Sequence, residues 1–236
     1  GFFTHTKLVG DMILQPPIAC FGGTFNPPHR AHFALAHAAC AQLSLAQLLL
    51  IPAGQPWQKP QELPAAHRLA ILTLALADDV LERSVGDCSL HIETLELDLP
   101  QSSYTIDTLK TLRQRMPDTP LVWLMGSDQL HNLTSWRDWQ YLLDFAHIAV
   151  AQRAGSEFTA ADLPMELQSV YRERVSAAAS DWRSSLAGRF IPFDLPPLRV
   201  SSTAIRATLA RGETPDALSS SVLKYIQTHN LYAPSL

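Results

Sequence analysis

Several common chemistries have no foothold in this chain. Cysteine is scarce: Cys20, Cys40 and Cys88 are the only three in 236 residues, and none forms a CxxC pair. Their odd number and scatter predict reduced, buried thiols in a cytoplasmic protein. No HExxH or other metal-ligand spacing occurs, which argues against a protein-held zinc, and no metal-binding residues are assigned. The Walker pattern GxxxxGK[ST] is absent, which excludes an ordinary P-loop NTPase. No GxSxG or kinase element is present either. No apolar run is long enough to span a bilayer. The first residues, Gly1 to Asp11, lack a signal-peptide pattern, and Met12 lies just before the first strand. Residues 1–16 are therefore expected to be a flexible N-terminal extension. Charge is also sparse, at 17% of residues with a formal net charge of −4. That argues against a nucleic-acid-binding surface, although a small phosphate pocket needs only a few local cations.

What the chain does hold is apolar material, 47% of residues, enough for a sizeable core. Strand and helix patterns alternate. Short apolar runs predict strands at Ile18–Phe21, Leu48–Ile51, Leu90–Leu97, Leu121–Leu124, Ile148–Ala151 and Phe190–Phe193. Helical patterns cover His29–Leu43, Ala65–Ala77, Tyr104–Arg115, Trp136–Leu143, Thr203–Arg211 and Asp216–Thr228, the last one after Pro215. Continuous apolar strands between helices predict an α/β fold. This is a Rossmann-like, doubly wound parallel sheet with helices on both faces, as one domain over 17–236. Ligands of such sheets bind at the carboxyl ends of the strands. Two segments break the alternation: a proline-rich loop at 53–64, and 154–186, which reads as a variable surface insertion. No internal repeat or low-complexity tract is present.

The chemistry concentrates in Gly22-Gly23-Thr24-Phe25-Asn26-Pro27-Pro28-His29-Arg30-Ala31-His32. A strand precedes it and a helix follows. The glycines let a backbone approach a ligand. The helix start offers free N–H groups and a positive dipole end, suited to phosphate. His29 and His32 share one helix face. The stretch resembles the (H/T)xGH signature of the nucleotidyltransferase α/β-phosphodiesterase superfamily, in its GGTF(D/N)PxHxxH form. Ala31 replaces the usual glycine, and Asn26 stands where many members have Asp.

Five further patches resemble one branch, the bacterial nicotinate-mononucleotide adenylyltransferases. Ile51-Pro52-Ala53-Gly54-Gln55-Pro56-Trp57-Gln58-Lys59 is similar to a basic loop of that family, with Lys59 at the cationic position and Gln58 in place of His. A lysine there reaches triphosphate oxygens; the alternative is a solvated loop lysine. Ser102-Ser103-Tyr104-Thr105 resembles the family's PSYT element, although helix capping also explains its hydroxyls. Gly126-Ser127-Asp128 resembles GxD, which implies that Asp128 binds the ATP ribose; a helix N-cap is the alternative. Trp136, followed by Arg137, matches a tryptophan that stacks on the nicotinate ring, with ordinary core packing as the alternative. Val200-Ser201-Ser202-Thr203-Ala204-Ile205-Arg206 resembles ISSTxIR, an anion cradle. Arg153 matches an arginine of a CxRPG-like turn, with Ala154 in place of proline.

The resemblance implies an enzyme that transfers AMP from ATP to nicotinate mononucleotide, giving deamido-NAD and diphosphate. His29, His32, Lys59 and Arg206 would be catalytic. Gly22, Gly23, Thr24, Phe25, His29, His32, Gly126, Asp128, Arg153, Ser202, Thr203 and Arg206 would bind ATP. Gly54, Tyr104, Thr105, Trp136 and Arg137 would bind the mononucleotide, and Mg²⁺ would arrive with ATP. Two alternatives stay open at this point. One is a sister enzyme of the pantetheine-phosphate adenylyltransferase or glycerol-phosphate cytidylyltransferase type. The other is a silent nucleotide-binding regulator, which Ala31, Asn26 and Gln58 would favour. The seven remaining histidines receive no role.

Overall fold

In the computed structural model, which describes residues 13–54, 63–83, 88–99, 103–176, 181–195 and 197–234, the centre is a six-stranded sheet. Its strands are β1 (Ile18–Gly23), β2 (Gln47–Pro52), β3 (Ser89–Ile92), β4 (Leu121–Gly126), β5 (His147–Arg153) and β6 (Phe190–Leu195). They run in the order β3-β2-β1-β4-β5-β6, and every neighbouring pair is parallel. The order reverses direction between β1 and β4, which is where doubly wound sheets hold ligands.

Alternation along the strands divides the core into two layers. Ala19, Phe21, Leu48, Leu50, Val122 and Leu124 face one side. Helices α1 (Arg30–Gln42), α2 (Ala65–Glu82), α7 (Ser202–Ala210) and α8 (Ser220–Thr228) cover that side. Cys20, Ile51, Trp123, Met125, Ile148 and Val150 face the other. That face is covered by α3 (Thr105–Arg115), α4 (Ser127–His131), α5 (Leu142–Phe145) and α6 (Met165–Arg174).

The structure corrects several expectations. Cys40 and Cys88 are joined as a disulfide; only Cys20 is a free, buried thiol among the described residues. Scatter along the sequence hid the pairing, because α1 returns Cys40 to the chain entering β3. The third strand stops at Ile92 rather than Leu97, because Leu97 and Asp98 both donate to Thr94 O and close a turn. The helix expected at Trp136–Leu143 is two short pieces, a 3₁₀ turn at Trp139–Tyr141 and α5, with Asp138 in the left-handed region at φ 52°. The last helix starts at Ser220 rather than after Pro215, and α2 runs on to Glu82. Segment 154–186 is anchored from within: Trp182 is completely buried and Tyr171 packs on Phe190. At the other end, Gln15 N–H donates to Asp118 O, while residues 1–12 lie outside the described part.

Candidate active site

Because all six strands are parallel, their carboxyl ends share one edge. Gly22 and Gly23 close β1 opposite Ile51 and Pro52 of β2, and Gly126 closes β4 opposite Ala151 of β5. Gly22 is required by packing: a Cβ there would lie 2.7 Å from the Trp123 ring. Nothing lies within 4 Å of a Cβ built on Gly126, so this strand end opens onto free space.

The turn after β1 holds Phe25 in the left-handed region that favours glycine. Phe25 is buried with φ 48°, and the Asn26–Pro27 peptide is cis. Side chains from other elements hold three carbonyls of this turn. Arg68 Nη1 donates to Thr24 O at 3.2 Å and to Ala53 O at 2.8 Å. Arg206 Nη1 donates to Asn26 O at 2.7 Å, and Ser202 Oγ donates to Pro27 O at 3.0 Å. The two ends of the sequence therefore meet at the glycine turn.

His29 and His32 form a capping box at the start of α1. His29 Nδ1 accepts from Ala31 N–H at 3.2 Å, and His32 Nδ1 accepts from His29 N–H at 3.0 Å. The rings stack with centroids 3.8 Å apart. Both Nδ1 atoms are thus acceptors, which places each ring's proton on Nε2. Burial pushes His29 down to about 4, and pushes His32 well below its ordinary value with His29 adding to the effect. At neutral pH the pair is two uncharged Nε2–H donors beside a helix N-terminus. Ala31 sits within α1, so its Cβ needs no special backbone.

Arg206 and Thr203 are joined through Nη2 and Oγ1 at 3.3 Å, and Ser201 caps α7 through Ala204 N–H. The other face of α7 borders a cleft of about 600 Å³ lined by Arg153, Arg199, Ser201, Thr208 and Asp216. Arg153 therefore lies beside α7 but not on the side that holds the turn. A smaller cavity of about 220 Å³ lies along the outer side of His29, between α1 and α2.

The residues expected to bind a mononucleotide form a second group. Tyr104 occupies the N-cap position of α3 without a side-chain cap bond, Thr105 begins the helix, and the Arg137 guanidinium lies 4.7 Å from the Tyr104 ring centre. Gly54 packs so tightly that a Cβ would meet Glu96 O at 2.7 Å and Ser103 Oγ at 3.1 Å. Trp136 is half-buried against the second core layer. Asp128 is exposed in the first turn of α4; the residue that caps this helix is Gly126. Lys59, with Trp57 and Gln58, and Ser102 lie outside the described residues.

Two supporting residues escaped the sequence reading. Arg68 is 1% exposed, yet it occupies the core stripe of α2 with Ile71, Leu72 and Ala75. An arginine at an apolar-stripe position was the available signal. Glu96, also buried, accepts from Thr108 Oγ1 at 3.0 Å, and burial raises its pKa.

Residues 20–208 match the cytidylyltransferase-like family. The chain belongs to it. Within that family, the chain is 39% identical to the probable nicotinate-nucleotide adenylyltransferase of Herminiimonas arsenicoxydans, over 91% of this chain and 96% of that protein. It is 41% identical to the protein of the same name from Laribacter hongkongensis, over 91% and 94%. Among solved structures, the Plasmodium falciparum nicotinic acid mononucleotide adenylyltransferase complexed with NaAD superposes with a TM-score of 0.68. At 17% identity over 92% of this chain and 98% of that one, it supports the Rossmann-like fold.

Proposed function

We infer that this member of the family is a nicotinate-nucleotide adenylyltransferase of NAD biosynthesis. The observation that carries the reading is the meeting of Arg206 and Ser202 with the glycine turn that leads into His29 and His32. The relatives' shared name supports the choice of reaction.

In this reading a phosphate oxygen of nicotinate mononucleotide attacks the ATP α-phosphorus. The new P–O bond forms in line as the bond to the β-phosphate oxygen breaks, and diphosphate leaves. No covalent enzyme intermediate is needed; the protein positions the reactants and stabilises phosphate charge. His29 and His32 donate Nε2–H to the triphosphate, with His32 nearest the α-phosphate. Lys59, Ser202, Thr203 and Arg206 neutralise the charge of the β and γ groups. Gly22, Gly23, Thr24 and Phe25 form the floor of the ATP site, with Gly126, Asp128 and Arg153 on the adenosine side. Gly54, Tyr104, Thr105, Trp136 and Arg137 receive the mononucleotide. Among the described residues no three His, Cys, Asp or Glu groups gather to hold a metal. Mg²⁺ is assigned to ATP, bound by phosphate oxygens and water. The enzyme works in the cytoplasm on diffusing nucleotides.

The test is diphosphate release from ATP with a panel of acceptors: nicotinate mononucleotide, nicotinamide mononucleotide, phosphopantetheine, and glycerol phosphate with CTP. Release with nicotinate mononucleotide, exceeding the others, is the expected result. Release with phosphopantetheine alone would move the chain to a sister activity. ATP binding without release in any arm would make it a silent module.

A further inference from the structure

The turn that presents His29 and His32 has one support that neither the resemblance nor the reaction accounts for. Asn26 is only 4% exposed. Its carbonyl is taken by Arg206, and its side-chain Oδ1 accepts from the hydroxyl of Tyr232, 206 residues later. We propose that Tyr232 is a positioning residue of the active site: from the end of the chain it fixes Asn26 and thereby the direction in which the two imidazoles face the triphosphate.

Hydrogen bonds tie the path to Tyr232 at each step. Asp78 of α2 accepts from both Ser221 N–H, at 3.1 Å, and Ser221 Oγ, at 2.8 Å, which fixes the start of α8. Tyr225 OH bonds His67 Nδ1 of α2 at 2.8 Å one turn later. The helix ends in a tight reversal. Asn230 takes the left-handed conformation at φ 51°, and Leu231 N–H returns to Ile226 O at 2.9 Å. Asn is one of the residues that tolerates this position. Tyr232 itself is left-handed at φ 54°, and its hydroxyl reaches Asn26. Two left-handed residues other than glycine within three positions are held only where the surroundings over-determine them. Helix α8 is therefore a strut from α2 to the turn.

The effect on chemistry follows from the neighbours of Asn26. Phe25 on one side has a positive φ, and its ring meets His32 edge-on with centroids 5.0 Å apart. Pro27 and Pro28 on the other side carry no N–H to tie the turn down. Without the tyrosine hydroxyl, Oδ1 is a buried acceptor with no donor among the described residues, and the turn shifts to find one. A displacement of about 1 Å at reacting groups costs on the order of a hundredfold in rate.

This inference rests on the reading of the turn as the triphosphate site, and the experiment separates the two. Wild type, Tyr232→Phe, Asn26→Ala and the double variant are compared in diphosphate release, with KM for each substrate. Product formation by wild type tests the reading alone. Tyr232→Phe keeps the ring and removes the hydroxyl. It is expected to lower kcat with ATP roughly ten- to a hundredfold while KM for the mononucleotide stays within about twofold. Asn26→Ala is expected to produce the same lesion from the other partner, and in that background Tyr232→Phe should add nothing. Asn26→Asp, which keeps an acceptor oxygen, should retain turnover. Near-native kinetics of Tyr232→Phe would overturn the assignment. So would a full, independent loss on top of Asn26→Ala, or an equal rise in KM for both substrates.

Discussion

In the proposed reaction His32 does two jobs, one with each nitrogen. Nδ1 receives the backbone N–H of His29 and helps to start α1, which leaves Nε2–H for a phosphate. The two jobs have separable sizes. Loss of a helix cap costs about 1 kcal/mol. Loss of one donor to developing charge costs roughly a hundred- to a thousandfold in kcat. His32→Ala should therefore melt within about 4 °C of wild type while turnover falls by two to three orders of magnitude. Calorimetry and diphosphate release on one preparation check both numbers, and a folded variant with near-native turnover removes His32 from the mechanism. The motif itself was legible, because Gly-Gly and two histidines one turn apart sit between a strand and a helix. That the rings stack, stay neutral and cap their own helix was not. Those properties depend on burial and on backbone amides, and residue spacing encodes neither. Arg206 shows the same limit. Its place beside the glycine turn could be expected, but its use of Nη1 as a prop for Asn26 O could not.

At the level of elements, the strands were readable and their ends were not. Apolar runs located all six strands; the central ones are buried on both faces, whereas the edge strand β3 exposes Ser89 and His91. The excess length given to β3 came from Leu95 and Leu97, which continue the apolar pattern after the chain has already turned at Thr94. The segment after that turn supplies the wall against which Gly54 packs, and here sequence and structure combine into a prediction. Gly54 follows β2 with Glu96 O and Ser103 Oγ inside the space a methyl would need, and Ser103 directly precedes Tyr104 and Thr105. Gly54→Ala must displace Glu96 and Ser103, since the nearer obstacle is the Glu96 backbone. The expected cost is about 1–3 kcal/mol of stability, together with a several-fold rise in KM for the mononucleotide and little change in KM for ATP. Gly126→Ala is the control for stability and for KM of the mononucleotide, because its Cβ meets nothing within 4 Å and the residue belongs to the proposed ATP side. If both variants behave alike, the Gly54 contact does not shape the mononucleotide side.

For the molecule as a whole, topology does what no local pattern announces. The order β3-β2-β1-β4-β5-β6 brings the ends of β1, β4 and β5 to one edge, and the returning α7 and α8 lock onto the first turn. Contacts between residues 26 and 206 or 232 carry no signature in either segment, and the same holds for Cys40 with Cys88. The fold also buries histidines that must stay neutral, and this fixes how stability depends on pH. His147 is completely buried, receives Arg189 N–H on Nδ1 at 3.1 Å and bonds Ser185 O through Nε2 at 2.9 Å. Its two nitrogens are committed, and burial holds its pKa at about 4. The unfolded chain protonates this histidine near its ordinary value of 6.5, before the folded protein can. Between those two values the unfolded state binds more protons, so stability falls as pH falls. The contribution of His147 is whole above about pH 6.5 and lost by about pH 4, a change on the order of 3 kcal/mol. His29, held down to about the same value, adds a loss of the same sign in the same window. Urea unfolding at pH 7.5, 6.0 and 5.0 should therefore show a declining midpoint at constant m. His147→Gln can still accept and donate but does not titrate in this range, so its decline should be shallower. A midpoint that is flat from pH 7.5 to 5.0, or an equal slope in His147→Gln, would mean that the buried imidazole is protonated in the folded protein after all.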